Sequence, residues 1–564
     1  MAEQLIDALI VGAGFGGVYQ LKKLRDQGLS VKTIDTASDV GGTWFWNRYP
    51  GAMSDTEAYL YRYSWDLDDL RTYPWDEHYL QGPEILQYLM HVVERYDLRK
   101  DMLFETELQT ATWDNLENRW IVQTNNGTFK ARYLVTALGL LSRCNLPDIP
   151  GINDFAGELY HTARWPASAS MTGKRVGVIG NGSTGIQVIT ALGKEVKQLI
   201  SFQRNPQYSV PSGNRPVSPE YRDYVNENYE EIWRKAKDES LFAFGFSEVT
   251  RPTSSVSPEE RERIYEEAWQ KGGGFRFMFE TFGDISLDEN ANNLASDFIK
   301  RKISHIVKDP EKARKLMPTQ LYARRPLCDG GYYQQFNRDN VDVVNLKETP
   351  ITRITSKGIS TSDGKEHELD VVILATGFDA VDGNYTRIAI KGRHGTSLKE
   401  HWASQGPSST LGVSVPGFPN LFMITGPNSP FSNIPPAIET HVEFISDIIE
   451  VAEKRYRAKS SSIEVTDGVN MGLSNGHISR KDSVNEHKRS GPIIEATPES
   501  EQAWSKVCDD MSADSLFRKT DSWIFGSNVA GKKPSVLFFF GGLSAYRKIL
   551  RDVAADGYQG FNPF

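Results

Sequence analysis

The chain has 564 residues, of which 39% are hydrophobic and 24% charged, and its formal net charge at pH 7 is -9. This length predicts about two to four domains, each with its own hydrophobic core. The acidic balance argues against nucleic acid as a partner, since binding phosphates requires a basic surface. No apolar run approaches the roughly 20 residues that span a bilayer, so no membrane segment is expected.

The ends of the chain and its cysteines predict a cytoplasmic location. The residues after Met1 have no basic flank and lead directly into an apolar strand, unlike a secretory signal peptide. The residues from Gly560 onward carry no peroxisomal or lipidation signal. Cys144, Cys328 and Cys508 lie far apart and form no CxxC pair, so neither a disulfide framework nor a metal site is expected.

The first glycine-rich loop, residues 12–17, lies between an apolar run at residues 8–11 and a helical pattern. A second apolar strand follows at Val31–Ile34 and ends at Asp35. In such a βαβ unit the glycines allow the backbone to approach a pyrophosphate, which the helix N-terminus binds. The acid is then placed to accept hydrogen bonds from ribose hydroxyls. The alternative interpretation is a glycine turn without a ligand.

Residues 41–51, with the sequence GGTWFWNRYPG, are too aromatic for a solvent-exposed loop. Four aromatic residues between the glycines at the two ends of this segment suggest a wall against a flat ring system. Asp55 lies just beyond, and the residues alone leave open whether it caps a helix or belongs to a site. Residues 131–138 predict a further strand, and residues 146–151 predict a stiff linker.

A second βαβ unit begins at residue 174, and its GxGxxG loop covers residues 180–185. Its second strand, predicted at residues 198–202, is followed by Gln203 and Arg204 and by no acid. An acid at this place favours a free 2′-hydroxyl, whereas an arginine favours a 2′-phosphate. The first unit is therefore predicted to bind FAD and the second NADPH. Arg204 as an ordinary surface cation is the alternative.

Residues 211–325 are mostly helical and charged, and they predict a helical insertion within the second nucleotide domain. Ser218 and Ser257 are predicted to begin two of its helices. The insertion ends at Arg324 and Arg325, for which composition does not decide between a solvated face and an anion site. Five residues at helical spacing are predicted to pack inside it: Tyr221, Tyr224, Val225, Ile232 and Trp233.

The segment between the two glycine loops includes residues 155–166, FAGELYHTARWP. A chain that builds two nucleotide sites and joins them here predicts electron transfer between two cofactors. Further along, residues 371–379 predict a buried strand that ends in a glycine turn. Residues 427–436 predict a proline-rich loop, followed by an amphipathic helix.

These motifs resemble one family. Phe155-x-Gly157-x-x-x-His161-x-x-x-Trp165-Pro166 between two GxGxxG loops is similar to the signature of Baeyer–Villiger monooxygenases, which use FAD and NADPH. Residues 41–51, 337–340 and 375–379 fit the same family. Related N- and S-oxygenating flavin monooxygenases usually carry phenylalanine or tyrosine in place of the Trp-Pro pair. Residues 426–436 resemble cyclohexanone-type members more than phenylacetone-type members, which have a short insertion there.

The resemblance implies an α/β fold with two Rossmann-like dinucleotide-binding domains, for FAD and NADP, and a helical insertion in the NADP domain. We predict an FAD-binding domain at residues 1–141 and 378–564, and a linker at residues 142–149. The NADP-binding domain is predicted at residues 150–210 and 326–377, with the insertion at residues 211–325.

The resemblance also implies an NADPH- and O2-dependent flavin monooxygenase that converts ketones, expected to be cyclic, into esters or lactones through a C4a-peroxyflavin. Arg325 matches the arginine that stabilises the negatively charged flavin peroxide, and Asp55 matches its carboxylate partner. These two residues form the predicted catalytic set. His161 is left out of it, because in the family it acts through the interdomain linker and not as a proton donor.

Several positions match family residues that bind the cofactors or border the substrate. Ser183, Thr184, Arg204 and Arg324 match positions that hold NADP phosphates, and Trp523 matches a tryptophan near the nicotinamide. Many members have lysine at the position of Arg324 and threonine at that of Asn205, which bears on the preference for NADPH over NADH. The predicted cofactor-binding set is Gly12, Gly14, Phe15, Gly17, Asp35, Thr43, Trp44, Asp55, Tyr61, Gly180, Gly182, Ser183, Thr184, Gly185, Arg204, Asn205, Arg324 and Trp523. The predicted substrate-binding set is Leu141, Arg143, Phe431, Ile434 and Pro435.

Three other functions fit parts of the pattern. An N- or S-oxygenating flavin monooxygenase needs the same cofactors and would oxidise sulfides with little ketone turnover. A flavin disulfide reductase needs a close cysteine pair, which this sequence lacks. A non-catalytic flavoprotein would bind FAD without consuming NADPH. The expected partners are a small ketone and O2, and the chain is expected to be a monomer or a weak homo-oligomer.

Overall fold

The computed structural model describes residues 3–469 and 491–564, so residues 470–490 of the predicted FAD segment lie outside the described residues. The strands are β1 (Glu3–Val11), β2 (Val31–Ile34), β3 (Met102–Leu103), β4 (Leu108–Asp114), β5 (Arg119–Thr124), β6 (Gly127–Thr136), β7 (Glu158–His161), β8 (Arg175–Ile179), β9 (Gln198–Gln203), β10 (Ser209–Pro211), β11 (Leu327–Asp329), β12 (Val341–Asn345), β13 (Ile351–Thr355), β14 (Gly358–Thr361), β15 (Glu366–Glu368), β16 (Val371–Leu374), β17 (Ala389–Lys391), β18 (Leu421–Met423), β19 (Ser429–Pro430) and β20 (Phe538–Phe539). The helices are α1 (Phe15–Asp26), α2 (Thr43–Trp46), α3 (Leu67–Thr72), α4 (Gly82–Arg95), α5 (Ser183–Leu192), α6 (Pro219–Asp238), α7 (Pro258–Lys271), α8 (Gly274–Phe279), α9 (Glu289–Ile306), α10 (Pro310–Leu316), α11 (Tyr332–Gln335), α12 (Leu398–Gln405), α13 (Ile434–Val469), α14 (Pro498–Ser512) and α15 (Leu543–Ala555).

The larger sheet contains the first glycine loop. Its strand order is β17-β4-β5-β6-β1-β2-β3, and β18 pairs with β6. The strand before the loop, β1, is parallel to β2 and β6, with Ile10 opposite Thr33 and Val135. Ile10 and Val135 are fully buried, as expected for central parallel strands that are covered on both faces. The loop therefore begins at the carboxyl end of a central strand.

The second sheet is entirely parallel, with the order β12-β9-β8-β16-β7. The second glycine loop joins β8 to α5, so it occupies the same place relative to its sheet as the first loop does in the larger sheet. The α/β class with two Rossmann-like units is confirmed. The exact domain limits stay predictions.

The region from α6 to α10 is helical, as predicted. The Ser218 hydroxyl accepts the Tyr221 N–H and the Ser257 hydroxyl accepts the Glu260 N–H, so both predicted helix starts are confirmed. The prediction for Tyr224 is wrong, because its side chain is exposed (59%). Residues 434–436 form the first turn of α13 and not a loop. Proline is tolerated there, because first-turn N–H groups have no partner within the helix.

Helix α13 also buries a histidine completely. His441 has its Nδ1 atom 2.8 Å from the Ala437 carbonyl oxygen and its Nε2 atom 2.9 Å from the Tyr546 hydroxyl. Burial lowers the pKa of His441 to about 4 from its usual 6.5.

Within the described residues, no helix is long and apolar enough to cross a bilayer.

We expect the stability of the protein to fall in mild acid because of His441. The unfolded chain takes up a proton below pH 6.5, whereas the folded chain resists protonation down to about pH 4. The contribution of neutral His441 to the free energy of unfolding is therefore complete above pH 6.5. The free energy of unfolding decreases by about 2 kcal/mol between pH 7 and pH 5. Urea unfolding of the wild type and of His441→Gln at both pH values checks this; an unchanged pH dependence in the variant would contradict it.

Candidate active site

A cleft of about 1450 Å³ is lined by both glycine loops and by part of the helical insertion. This volume exceeds the few hundred to about 1,000 Å³ of a usual single-ligand pocket. Sixteen of the eighteen predicted cofactor-binding residues line it, Asp55 among them, and so does Arg325, the other predicted catalytic residue. Gly17 and Gly185 do not line it, because they lie in the first turns of α1 and α5, packed against the carbonyls of Gly12 and Gly180.

The first part of the cleft fits a dinucleotide at the end of β1. Helix α1 begins after Gly14, and no side chain of the described residues caps it, so its first N–H groups remain available to a pyrophosphate. The Asp35 carboxylate accepts the N–H groups of Ala13 at 2.6 Å and Ala37 at 2.8 Å. Burial nevertheless raises the pKa of Asp35. The carboxylate is thus fixed at the end of β2, with lone pairs left for hydroxyl donors.

Aromatic rings form a wall next to this loop, as the composition of residues 41–51 predicts. Trp44 meets Tyr61 edge to face at 5.6 Å, and Tyr61 meets Phe15 at 5.6 Å. All three line the cleft, as does Thr43. The rings are held by one another, so they present a fixed apolar surface that fits a flat ring system.

The second glycine loop lines the cleft with Gly180, Gly182, Ser183 and Thr184. Helix α5 starts after Gly182, again without a side-chain cap among the described residues. The two predicted nucleotide sites therefore share the same device, an open helix N-terminus at the end of a central parallel strand.

Two arginines gather where β9 ends. Arg204 and Arg324 both line the cleft, and burial together with the charge of Arg204 lowers the pKa of Arg324. The Nε atom of Arg324 and the Oδ1 atom of Asn205 are buried without a partner among the described residues. Two nearby cations with an unused donor favour an anion, and the 2′-phosphate of NADPH fits this requirement.

We expect Arg204→Ala to raise KM for NADPH by roughly tenfold to a hundredfold, the effect of losing one charge-assisted phosphate contact of about 1.5–3 kcal/mol. KM for NADH should change little, because NADH has no 2′-phosphate. Steady-state oxidation of both nucleotides measures this. The control is Arg263→Ala, which removes an exposed arginine that pairs with Glu260 on α7. Equal losses with both nucleotides would contradict the assignment.

The predicted catalytic residues are brought together from 270 positions apart. The Arg325 Nη2 atom donates a hydrogen bond to Asp55 Oδ2, and the two side chains are 26% and 17% exposed. The guanidinium also lies over the Phe275 ring at 5.4 Å. Its Nη1 atom is buried and has no partner among the described residues. The next helix after Asp55 is α3, which begins at Leu67 and is capped by Asp66, so the helix-cap interpretation of Asp55 is wrong.

The predicted substrate residues divide into two groups. Leu141, Phe431 and Ile434 line the cleft, whereas Arg143 and Pro435 do not. Arg143 Nη1 donates to the Gly383 carbonyl at 3.1 Å and to the Thr386 hydroxyl at 3.3 Å, which fixes it elsewhere. Pro435 belongs to the first turn of α13.

Sequence reasoning missed two aromatic residues of the insertion. Phe244 and Phe275 line the cleft and stack at 4.1 Å, beside Phe431. A helical, charged segment does not suggest a site, so they were not among the predicted residues. The GGGFRFMF sequence at residues 272–279, in which glycines precede a run of aromatics, was the available signal.

Two further predicted residues occupy distinct places. Trp523 lines the cleft. Its segment is fixed by a hydrogen bond of 2.8 Å from Asn528 Nδ2 to the Phe378 carbonyl oxygen. His161 lies outside the cleft lining, and its Nδ1 atom accepts the Ala163 N–H. Burial lowers the pKa of His161 to about 4. In the described part of the chain, no cluster of side chains is suited to a metal ion.

Comparison with known proteins identifies the family. Residues 7–211 match the model of the FMO-like family, flavin-binding monooxygenase-like proteins. A cyclohexanone 1,2-monooxygenase from Acinetobacter sp. is 49% identical over 99% of this chain and 96% of its own length. A phenazine N-monooxygenase from Lysobacter antibioticus is 47% identical over 98% of this chain and 96% of its own. A Baeyer–Villiger monooxygenase from Pseudooceanicola batsensis is 47% identical over 98% and 95%.

The solved structures agree with the sequence relatives. The crystal structure of cyclohexanone monooxygenase from Rhodococcus sp. Phi1 bound to NADP+ superposes with a TM-score of 0.92 at 52% identity. The match covers 100% of this chain and 99% of that one. Fold, motifs and whole-length similarity agree, and this chain belongs to the Baeyer–Villiger monooxygenases, a family of FAD- and NADP-dependent enzymes.

Proposed function

We propose that this chain is an NADPH- and O2-dependent flavin monooxygenase that converts ketones, chiefly cyclic ones, into esters or lactones. The observation that carries the proposal is Arg325, held by Asp55 in a cleft that both dinucleotide loops line. Cyclohexanone is the substrate named for a relative 49% identical over nearly the whole chain, which makes it the first ketone to test.

The two cofactors have separate supports. FAD would be held by the loop around Gly12 and Gly14 with Asp35 at the ribose, and NADPH by the loop around Gly180 and Gly182 with Arg204 and Arg324 at the 2′-phosphate. When bound, the flavin supplies the hydride acceptor and the ring that activates O2. The protein supplies position, charge and exclusion of water.

Arg325 has the central role in the proposal. Its guanidinium would stabilise the negative charge on the oxygen that attacks the ketone carbonyl, a contribution of about 3–4 kcal/mol in a site with few waters. The Nη1 atom, which has no hydrogen-bond partner among the described residues, is the donor that we assign to this oxygen. Asp55 would keep the guanidinium oriented and offset its charge during hydride transfer.

The substrate would lie against apolar side chains. Leu141, Phe431 and Ile434 line the cleft with Phe244 and Phe275, and this lining favours a ring without charge. A low-polarity surrounding also strengthens the interaction of Arg325 with the reacting oxygen. We propose that Arg143 and Pro435, which do not line the cleft, influence substrate choice only through their neighbours.

N-oxygenation is the second candidate, and one observation favours it. The phenazine N-monooxygenase is as similar to this chain, at 47% identity, as the Baeyer–Villiger relative is. A flat heteroaromatic substrate would also fit against the stacked rings of Phe244 and Phe275. The same cofactors and the same arginine would serve this reaction, so substrate chemistry must distinguish the two.

The test is a substrate comparison under air. Purified protein loaded with FAD is given NADPH together with cyclohexanone, phenazine or methyl phenyl sulfide, and products are measured against NADPH consumed. We expect caprolactone in nearly equal amount to NADPH, with the other two products minor. Dominant N-oxide or sulfoxide would support the second candidate. NADPH oxidation that yields only hydrogen peroxide would contradict both.

The remaining proposals concern assembly and location. We propose the domain limits given above, with the insertion at residues 211–325 contributing Phe244 and Phe275 to the cleft. We also propose a cytoplasmic monomer or weak homo-oligomer. Cys328 and Cys508 are buried thiols, and Cys144 is a half-buried one, which fits a reducing compartment.

A further inference from the structure

We propose that the buried ion pair between Glu57 and Arg276 positions Arg325 for oxygen transfer. The inference rests on the role proposed above for Arg325. It assigns a positioning function to two residues that do not touch the reacting atoms.

Arg325 has two supports, and they come from different parts of the chain. Asp55, on the loop after the aromatic segment, accepts a hydrogen bond from Nη2. Phe275, on α8 of the helical insertion, lies under the guanidinium at 5.4 Å. The first support fixes the direction of the guanidinium edge, and the second fixes its plane. A shift of either support would move Arg325.

The two supports are themselves joined. Glu57 lies two positions after Asp55, and Arg276 follows Phe275 directly in the chain. Arg276 Nη2 donates to Glu57 Oε1 at 3.0 Å. The contacts therefore close a ring that runs from Arg325 through Asp55, Glu57, Arg276 and Phe275 back to Arg325. The relative position of the loop and α8 is set by the Glu57–Arg276 pair.

The carboxylate is fully used in this arrangement. Glu57 Oε2 accepts the Tyr221 hydroxyl at 3.0 Å and lies 3.3 Å from His78 Nδ1. Arg276 reaches Glu280 with its other terminal nitrogen at 3.1 Å. Burial opposes ionisation of Glu57, but His78, Arg276 and Tyr221 together hold its pKa below the usual value. The loop is thus tied to α6 and α8 by directional bonds.

Burial and charge argue for a task beyond packing. The Glu57 and Arg276 side chains are 10% and 19% exposed. A buried ion pair is often no more stabilising than apolar residues of the same size, because both charges lose their hydration. What such a pair does provide is a defined geometry, since each partner has few alternative places for its charge. Precise placement is what a charge-stabilising arginine requires.

The test separates positioning from stability. Glu57→Gln removes the charge and keeps the shape, and Arg276→Gln does the same from the other side. We expect lactone formation per bound FAD to fall about tenfold in each, the size of coupling typical of contacting charged groups. Anaerobic reduction by NADPH should stay within about twofold of wild type, so more of the NADPH consumed yields hydrogen peroxide.

Three controls make the outcome decisive. Arg276→Lys keeps the ion pair and should retain most of the lactone yield. Glu260→Gln breaks an exposed pair with Arg263 on α7 and should change nothing. In the double variant, Glu57→Gln with Arg276→Gln, the loss of lactone formation should be no larger than in either single variant. Each single substitution already removes the same interaction.

Two results would overturn the inference. The first is an unchanged ratio of lactone to NADPH in Glu57→Gln and Arg276→Gln. The second is an equal loss of reduction and oxygenation, which a purely structural role would produce. The variant Arg325→Ala distinguishes failure of this inference from failure of the proposed function. If Arg325→Ala abolishes lactone and the Glu57 and Arg276 variants do not affect it, only the inference fails; if Arg325→Ala makes lactone normally, the proposed role of Arg325 fails first.

Discussion

Arg325→Ala is expected to lower ester formation by at least a hundredfold while FAD reduction by NADPH continues at close to the wild-type rate. The guanidinium pairs with Asp55 in the lining of the cleft, and its Nη1 atom is buried without a partner among the described residues. Removing a donor that stabilises charge in the transition state costs about 3–4 kcal/mol. Hydride transfer from NADPH precedes the formation of the charged attacking oxygen, so its rate should not fall equally.

Two matched variants accompany this experiment. Arg325→Lys keeps the positive charge but loses the planar fork, and it should lie between wild type and alanine. Arg324→Ala removes the neighbouring arginine, and its effect should be on KM for NADPH rather than on the yield of ester. Anaerobic reduction and product yield are measured for each. Normal ester formation by Arg325→Ala would contradict the assigned role.

Gly12→Ala and Gly180→Ala are expected to affect different cofactors. Both glycines have positive φ values, 111° and 106°, which strain any other residue. A Cβ atom would come within 2.3 Å of the Ala137 carbonyl oxygen in the first case and 2.4 Å of the Ala375 carbonyl oxygen in the second. The backbone strain and the steric clash are similar in the two variants. A difference between them in FAD content or in KM for NADPH therefore shows which cofactor each loop binds.

The expected results are complementary. Gly12→Ala should lose FAD during purification, with an affinity roughly fivefold to a hundredfold weaker, the effect of about 1–3 kcal/mol of local strain. Gly180→Ala should remain yellow and raise KM for NADPH by a similar factor. Flavin content by absorbance and NADPH titration measure the two. Loss of FAD in Gly180→Ala with retention in Gly12→Ala would reverse the assignment.

Local patterns predicted the parts of the fold that depend on neighbouring residues. The strand Val31–Ile34 begins and ends as expected. A short apolar run between a helix and an acidic residue leaves few alternative positions for the ends of the strand. The apolar run at residues 536–540 contains a strand only at Phe538–Phe539. The aromatic residues of this run pack against other rings. Their burial therefore does not require the backbone to form a longer strand.

The catalytic pair depends on contacts that no local pattern contains. Asp55 and Arg325 are 270 positions apart, and only the resemblance to a known family predicted that they act together. Composition left Arg325 undecided between a solvated face and an anion site. The glycine and aromatic run at residues 272–279 was the one local signal for Phe275, and the sequence indicates no pairing partner for Arg276, since both contacts form when the insertion packs against the loop of Asp55. Arg143 shows the opposite limit: the family resemblance predicted substrate contact, yet the Gly383 carbonyl and the Thr386 hydroxyl bind it outside the cleft lining.

The most direct test of the whole account is an isotope measurement with cyclohexanone. The FAD-loaded protein is supplied with NADPH under ¹⁸O2, and the lactone is analysed by mass spectrometry. The account predicts one ¹⁸O atom in each lactone molecule and close to one lactone per NADPH consumed. Hydrogen peroxide as the sole oxygen product, or lactone without ¹⁸O, would contradict it.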